Sequence, residues 1–517
     1  MDELVLPPAM IETITAAADW VIVLPVVLSL MGAAMALMLR KAGSLSFMLA
    51  ALVICAVIAC DIALLLRVLE SGPVSMTMGK WLPPFGISLA ADLFSAAFAL
   101  AAAVVTLVVL IYAEGESGRD ERDGFHAMVL LLLAGVTGSF LTGDLFNLYV
   151  WFEVMLIASF GLMVLGGKPI QLDGAVKYGF LNFLATTLFL LALGLLYGLL
   201  GTLNMADVMR VAPAANPAAM AGVAALLLLA FSMKAAAFPV NAWLPASYHT
   251  PPAAVSALFA GLLTKVGAYA LLRSLVVVLP ASRDLLEPLL VAIAVGTLLI
   301  APLGAIAETN LRRAIGFLVI GGVGAILAGI AVPSQEGIGG AGLYVFHAIL
   351  TMTALYLVAG LIERGTGETD TRRMGGLYAA SAPLSILFLV LILATAGVPP
   401  FLGFWPKLLL LQAGIGEGGW SGGLIVVALL VNAVLTLIAG SRLWGHVFWR
   451  SAPADGNAAP LLPQTWQRLG ATAVLVSMVL AAGLWPNGLF EGLNAGIPDM
   501  MDPARYVDAV GLAGAAP

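Results

Sequence analysis

Residues 231–273 read FSMKAAAFPVNAWLPASYHTPPAAVSALFAGLLTKVGAYALLR, and two lysines in this stretch, Lys234 and Lys265, are each enclosed by apolar residues. The pattern recurs on either side of it. Glu153 lies in NLYVWFEVMLIASFGLMVLGG, and Lys407 in PPFLGFWPKLLLLQAG. An ionisable side chain at bilayer depth costs between about 2.5 and more than 10 kcal/mol and normally faces a bundle interior. Four such groups in one chain point to movement of charge, so the expected protein is a membrane translocator of ions or protons.

Composition supports the membrane setting. The 517 residues are 62% hydrophobic and 10% charged, against about 25% charged in soluble domains. Since a spanning helix needs about 20 apolar residues, hydropathy predicts an all-α polytopic protein of about fourteen spans. An acidic start without a basic leader argues against a cleavable signal. No room is left for a large soluble domain, a nucleotide-binding loop or a redox cofactor. Cys55 and Cys60 share one span and read as small apolar side chains. The four histidines are too dispersed for a haem or zinc signature. No cofactor is expected, and the net charge of −6 gives no indication of nucleic-acid binding.

Lys and Arg fall unevenly across alternate loops. Fourteen, among them Arg40, Lys41, Arg119, Arg122, Arg312, Arg313, Arg372 and Arg373, lie on one side. Six, namely Arg67, Lys80, Arg210, Arg273, Arg283 and Arg505, lie on the other. The positive-inside rule makes the richer side cytoplasmic, with both termini outside.

Two predicted spans are interrupted. In the seventh (218–238), Lys234 precedes Pro239, Trp243 and Pro245; in the twelfth (383–411), Lys407 follows Gly397, Pro399, Pro400, Gly403 and Pro406. Each proline removes a backbone donor and displaces a carbonyl. Such backbone is tolerated at membrane depth only inside protein or along a wet cavity. Paired broken segments are the mark of a repeat-built transporter. The offset of five spans makes the repeats inverted, with Lys234 and Lys407 as counterparts. The expected organisation is 1–124 (three N-terminal helices), 125–280 (first five-helix repeat), 281–450 (second repeat) and 451–517 (final helix and tail).

The 231–273 string, with YVWFEVMLIAS, AETNLRRAIGF and GVPPFLGFWPK, resembles the proton-translocating core of antiporter-like subunits. These are shared by respiratory complex I, membrane-bound hydrogenases and Mrp-type multisubunit antiporters. Length, NLYVWFEVMLIASFGLMVLGG and FHAILTMTALYLVAG look most like the D subunit of Mrp antiporters. The resemblance implies fourteen core helices, broken seventh and twelfth helices and a midplane polar axis. It also implies relay roles for Glu153, Lys234, Lys265 and Lys407. Where several relatives carry a lysine near His347, this chain reads Thr351, Met352, Thr353, so passage there requires hydroxyls or water.

The chemistry also follows from the residues. A carboxylate beside a buried lysine favours its charged form, and separation of the two releases the proton. Glu153 and Lys234 can therefore form a switchable pair, with Lys265 as acceptor and Lys407 as the exit-side member. Ser232, Tyr248, Thr264, His347, Thr351 and Thr353 are candidates to hold connecting water. Plainer readings stand beside these: a packing salt bridge for Glu153–Lys234, a snorkelling Lys265, and an interfacial Lys407 next to Trp405. His249 reads equally as a turn-stabilising or a proton-entry residue, and His347 as a packed or a relay histidine. Asp61, Asp92 and Asp144 read as caps or subunit contacts, and His126 and His446 as interfacial. The expected partners are other subunits of a membrane antiporter complex, with protons and Na+ as transported ions, in the plasma (inner) membrane. The alternative is the pumping arm of a redox complex.

Overall fold

A computed structural model describes residues 16–114, 123–451 and 466–512. Arg119 and Arg122 of the charge count lie outside these residues. Among those described, twelve helices are long and apolar enough to cross a membrane. They are α1 (Trp20–Met38), α2 (Gly43–Ser71), α3 (Leu93–Glu114), α5 (Leu145–Val164), α6 (Pro169–Leu200), α7 (Pro217–Ala235), α8 (Ala253–Val278), α9 (Glu287–Ala307), α10 (Leu311–Ala331), α11 (Gln335–Thr366), α14 (Gly419–Trp449) and α15 (Trp466–Leu484). Two shorter apolar helices, α4 (Phe125–Leu141) and α12 (Ala382–Ala396), stand where the fourth and twelfth spans are expected. Helix α13 (Phe404–Glu417) continues the path of α12 after a break. Two short helices, α16 (Asn487–Met501) and α17 (Pro503–Val510), close the described chain.

The fold is almost wholly helical. The exception among the described residues is a hairpin, β1 (Val74–Thr77) paired antiparallel with β2 (Ser88–Ala91).

Local sequence sets the helix ends. Asp144, Asn216, Asn310 and Ser334 cap α5, α7, α10 and α11 by accepting backbone N–H groups. Burial separates the centre from the rim. Helices α8, α10 and α11 are enclosed on nearly all sides, whereas α2 and α6 keep a broad apolar face outward, as expected of lipid-facing spans. The glycines of α10 permit its close packing. A Cβ at Gly324 would lie 2.9 Å from the Leu298 nitrogen of α9, and one at Gly322 would lie 3.0 Å from the Tyr344 ring of α11.

Two readings of polar residues are corrected. Arg273, counted in a loop, is buried inside α8 and ion-paired with Asp92; the apolar run Leu275–Val278 beyond it extends the helix past the arginine. His126 is not interfacial but buried, with Nδ1 3.0 Å from the Ser46 hydroxyl. Asp92 and Asp144 do cap their helices, accepting from Ser95 N at 2.9 Å and Asn147 N at 2.8 Å. Asp61 is no cap. It lies fully buried in the body of α2, and neither carboxylate oxygen has a hydrogen-bond partner.

Candidate functional site

Both interrupted spans break by one mechanism. Helix α7 ends with Ala236 in the left-handed region (φ 61°), and α12 with Gly397 (φ 85°). In the first break Ala237 N donates to Ser232 O at 2.9 Å and Ala236 N to Met233 O at 3.3 Å. In the second, Val398 N donates to Leu393 O at 3.0 Å and Gly397 N to Ala394 O at 3.2 Å. This is a Schellman ending in each case, and it leaves the last two carbonyls of the helix without backbone partners. A non-glycine residue at φ 61° costs of order 1–3 kcal/mol and is held here by its surroundings. Phe238 N donates to Thr297 Oγ1 of α9 at 3.0 Å, and Trp243 Nε1 to the Met233 carbonyl at 3.0 Å.

The two break lysines do not hold equivalent places, which corrects the expectation that they are counterparts. Lys234 stands two residues before its left-handed residue, whereas Lys407 stands ten residues after its own, in the first turn of α13. In the second motif it is Thr395 that occupies the place of Lys234. Yet both ammoniums serve the same electrostatic end. Lys234 lies in the last turn of α7. Lys407 reaches back so that Nζ donates to Thr395 O at 3.1 Å and Ala396 O at 2.8 Å, the free carbonyls of α12. A helix C-terminus carries partial negative charge, which favours a cation there. The carbonyls freed at this break thus hold the Lys407 ammonium directly.

Lys265 obtains its acceptor differently. Residues Phe259–Leu263 of α8 form a π-helical turn, a distortion frequent at functional sites. Lys265 Nζ donates to Ala260 O at 2.7 Å and to Thr264 Oγ1 at 3.1 Å. The snorkelling reading does not hold, since Lys265 is 1% exposed. The turn packs tightly on α11, because a Cβ on Gly261 would lie 1.9 Å from Thr353 Oγ1 and 3.1 Å from Ile349 O. Gly261→Ala is therefore expected to force the two helices apart, at about 1–3 kcal/mol for overpacking. A clear fall in the thermal midpoint of the purified protein, by fluorescence-detected gel filtration, checks this.

Glu153 and Lys234 are not in contact. No ion pair joins them among the described residues, and Glu153 is half-buried on the rim of α5. The ammonium of Lys234 instead faces the ring of Phe152, 5.2 Å from its centre, an attraction worth about 2 kcal/mol when desolvated. Glu153 acts on Lys234 through space, without contact. A small cavity lined by Phe152, Tyr178, Asn182, Lys234, Trp243 and Leu263 adjoins the ammonium.

His347 lies within electrostatic range of two of the lysines, Lys265 and Lys407. It is buried in α11, Nδ1 lies 3.1 Å from Thr351 Oγ1, and Nε2 has no hydrogen-bond partner. Gly403 admits it to the break, since a Cβ there would lie 3.0 Å from the imidazole Cε1. Ser232 and Tyr248 also carry buried hydroxyls without partners. Thr353, by contrast, bonds back to Ile349 O of its own helix at 2.7 Å and offers no link. His249 lies apart, in the turn after Trp243–Ser247, with Nδ1 3.0 Å from the Pro245 carbonyl. Burial holds it below the usual imidazole range; the Pro245 carbonyl opposes this, and Arg313, Arg312 and Lys177 reinforce it. That arrangement favours its turn-stabilising reading.

Thus three buried ammoniums rest on neutral acceptors: a ring for Lys234, a carbonyl and a hydroxyl for Lys265, two carbonyls for Lys407. A contact carboxylate would fix each proton through a charge-assisted bond; these acceptors do not. The arrangement can hold a proton and give it up. The Asp92–Arg273 pair was missed by sequence reasoning, although a single arginine in an apolar run that continues for four residues was a usable signal.

Over most of its length the chain is similar to known proteins. The family model described as NADH:quinone oxidoreductase/Mrp antiporter, TM matches residues 142–436. The D subunit of the Na(+)/H(+) antiporter from Alkalihalophilus pseudofirmus is 33% identical over 491 residues, covering 95% of this chain and 99% of the relative. A chain in the structure of the Mrp complex from Dietzia sp. superposes with a TM-score of 0.89 at 27% identity, covering 96% of this chain and 100% of that one. A chain of the membrane-bound sulfane sulfur reductase, an archaeal respiratory membrane complex, superposes at 0.86 with 27% identity over 95% and 99% of the two chains. By its match to the family model and to these relatives, the chain belongs to the NADH:quinone oxidoreductase/Mrp antiporter transmembrane family, in its branch of antiporter D subunits.

Proposed function

We propose that this chain is the proton-translocating subunit of a multisubunit Na+/H+ antiporter in the plasma membrane, in which proton flow along a midplane relay drives Na+ export. The relay runs Glu153, Lys234, Lys265, His347, Lys407. It is carried by fourteen spans in two inverted five-helix repeats, α12 and α13 together forming the twelfth, with both termini outside. The observation that supports it most is the set of three buried lysines held on neutral acceptors, with His347 in electrostatic range of two of them. Each lysine protonates while its neighbour is neutral, so one positive charge advances along the membrane plane. Glu153 biases the first site through space and needs no contact to do so, because charges inside a protein interact over several ångströms.

The likeness to a chain of a respiratory complex supports a second reading, the pumping arm of a redox complex. Purification of the tagged chain in mild detergent decides between them. Co-purification of small antiporter subunits is expected. Recovery of quinone- or iron–sulfur-binding subunits instead would establish the second reading.

A further inference from the structure

Where the β-hairpin meets the C-terminal helices, polar side chains outside the relay converge. Tyr269 and Arg273 stand on α8 one and two turns beyond Lys265, on the same face. Arg273 is ion-paired with Asp92, and its Nε and Nη2 donate to the Tyr269 hydroxyl at 3.2 and 2.9 Å. Its guanidinium lies 5.2 Å from the centre of the Tyr506 ring of α17. Asp499 of α16, 2% exposed, pairs with Arg505 at 2.5 Å and lies in electrostatic range of Asp92 and Arg273. Arg273 Nη1 and the Tyr506 hydroxyl are among the atoms of this cluster that are buried without a hydrogen-bond partner.

We propose that Asp499 is the proton-binding group of a port at this end of the bundle, through which Lys265 exchanges protons with the solution outside. The proposal rests on the relay reading above, in whose orientation the hairpin end faces outward. Hydronium gives a proton to the Asp499 carboxylate and leaves as water. The acid then passes its proton through intervening water and the Tyr506 and Tyr269 hydroxyls to the neutral amine of Lys265; the Tyr506 hydroxyl has no hydrogen-bond partner to hold it, and the Tyr269 hydroxyl gives up its bond to the Phe140 carbonyl. Asp499 returns to the carboxylate and Lys265 becomes an ammonium. The span from Arg273 to Lys265 is about 12 Å along the helix, with Tyr269 midway. A neutral Lys265 no longer needs the Ala260 carbonyl and is free to turn toward Tyr269.

A cluster serving only to tie α16 to the bundle would do best with a carboxylate that stays charged. Asp499 does not fit that role. Burial pushes its pKa up to about 6, with Arg505 opposing, Asp92 reinforcing and Arg273 opposing. The carboxyl therefore fills and empties across a working pH range. Charged and titratable groups around it are Asp92 beside α3, Tyr269 and Arg273 of α8, Arg505 and Tyr506 of α17, with Asp144 acting on Tyr506.

The test uses proteoliposomes of the intact purified complex, with the pH of the hairpin-side compartment varied on either side of 6. Wild-type exchange is expected to titrate there with a midpoint near 6, and Asp499→Asn to abolish that titration and slow exchange several-fold. An assembled Asp499→Asn complex with wild-type rate and profile overturns the port. If that variant does not assemble, Asp499→Glu decides: a displaced midpoint supports the proposal, and an unchanged one overturns it. Lys265→Ala is run in parallel. Full exchange by Lys265→Ala means the relay itself has failed, whereas a dead Lys265→Ala beside an unaffected Asp499→Asn means only the port has.

Discussion

Lys407→Ala is expected to bring Na+-driven proton exchange in everted vesicles down by about a hundredfold, the low end of what a positioned proton-transfer group contributes. The two α12 carbonyls that receive its ammonium would then face only each other. Lys407→Arg separates charge from proton transfer. A guanidinium can donate to the same carbonyls and so satisfy the helix end, but it keeps its proton at any working pH. Normal assembly with strongly impaired exchange is the expected outcome. Lys407→Glu places an acid against oxygens that only accept, so only its protonated form can bond there, and its residual exchange is expected to be confined to low pH. Exchange by the arginine variant equal to wild type across the pH range would falsify a proton-carrying Lys407 and end the relay at His347 or Lys265.

The second large effect concerns Glu153 and Lys234. Glu153→Gln and Lys234→Ala are each expected to abolish exchange while leaving the protein inserted and assembled. Because Phe152, not Glu153, meets the ammonium, loss of the carboxylate breaks no contact and leaves stability nearly unchanged. A packing salt bridge predicts the reverse: removing one partner of a buried contact pair typically costs roughly 3–5 kcal/mol. Thermal midpoints measured beside vesicle exchange therefore separate the two. A well-expressed Glu153→Gln variant with near-normal exchange would leave the carboxylate without a role.

Much of the architecture was legible because membranes permit few solutions. Runs of apolar residues located the helices, and the prolines near Lys234 and Lys407 located the breaks. The four lone charges were legible for the same reason, since burial makes each conspicuous. What could not be read was which atoms receive them. That Lys407 turns back to Thr395 and Ala396 depends on the path of residues 397–403, and that Lys265 finds Ala260 depends on a π-helical turn; neither leaves a mark on hydrophobic periodicity. Glu153 was read as facing inward because its flanks are apolar, but lipid-facing and core-facing positions of a spanning helix have similar compositions. Arg273 was lost to a boundary error of a few residues at the end of α8, and of the two readings of Asp61, cap or subunit contact, the cap fails because its flanks place it in the body of a helix.

The Schellman endings of α7 and α12 carry a lesson for comparing such chains. What the two halves share is a helix end with two freed carbonyls and a lysine near it, two residues before the left-handed residue in one half and ten after it in the other, where the ammonium sits on those carbonyls. Column-by-column alignment of one half with the other pairs Lys234 with Thr395 and finds a charge gained or lost. Matching the helix ends instead finds a lysine close to each break, on opposite flanks of it. A lysine can therefore stay beside a break while its place in the sequence changes.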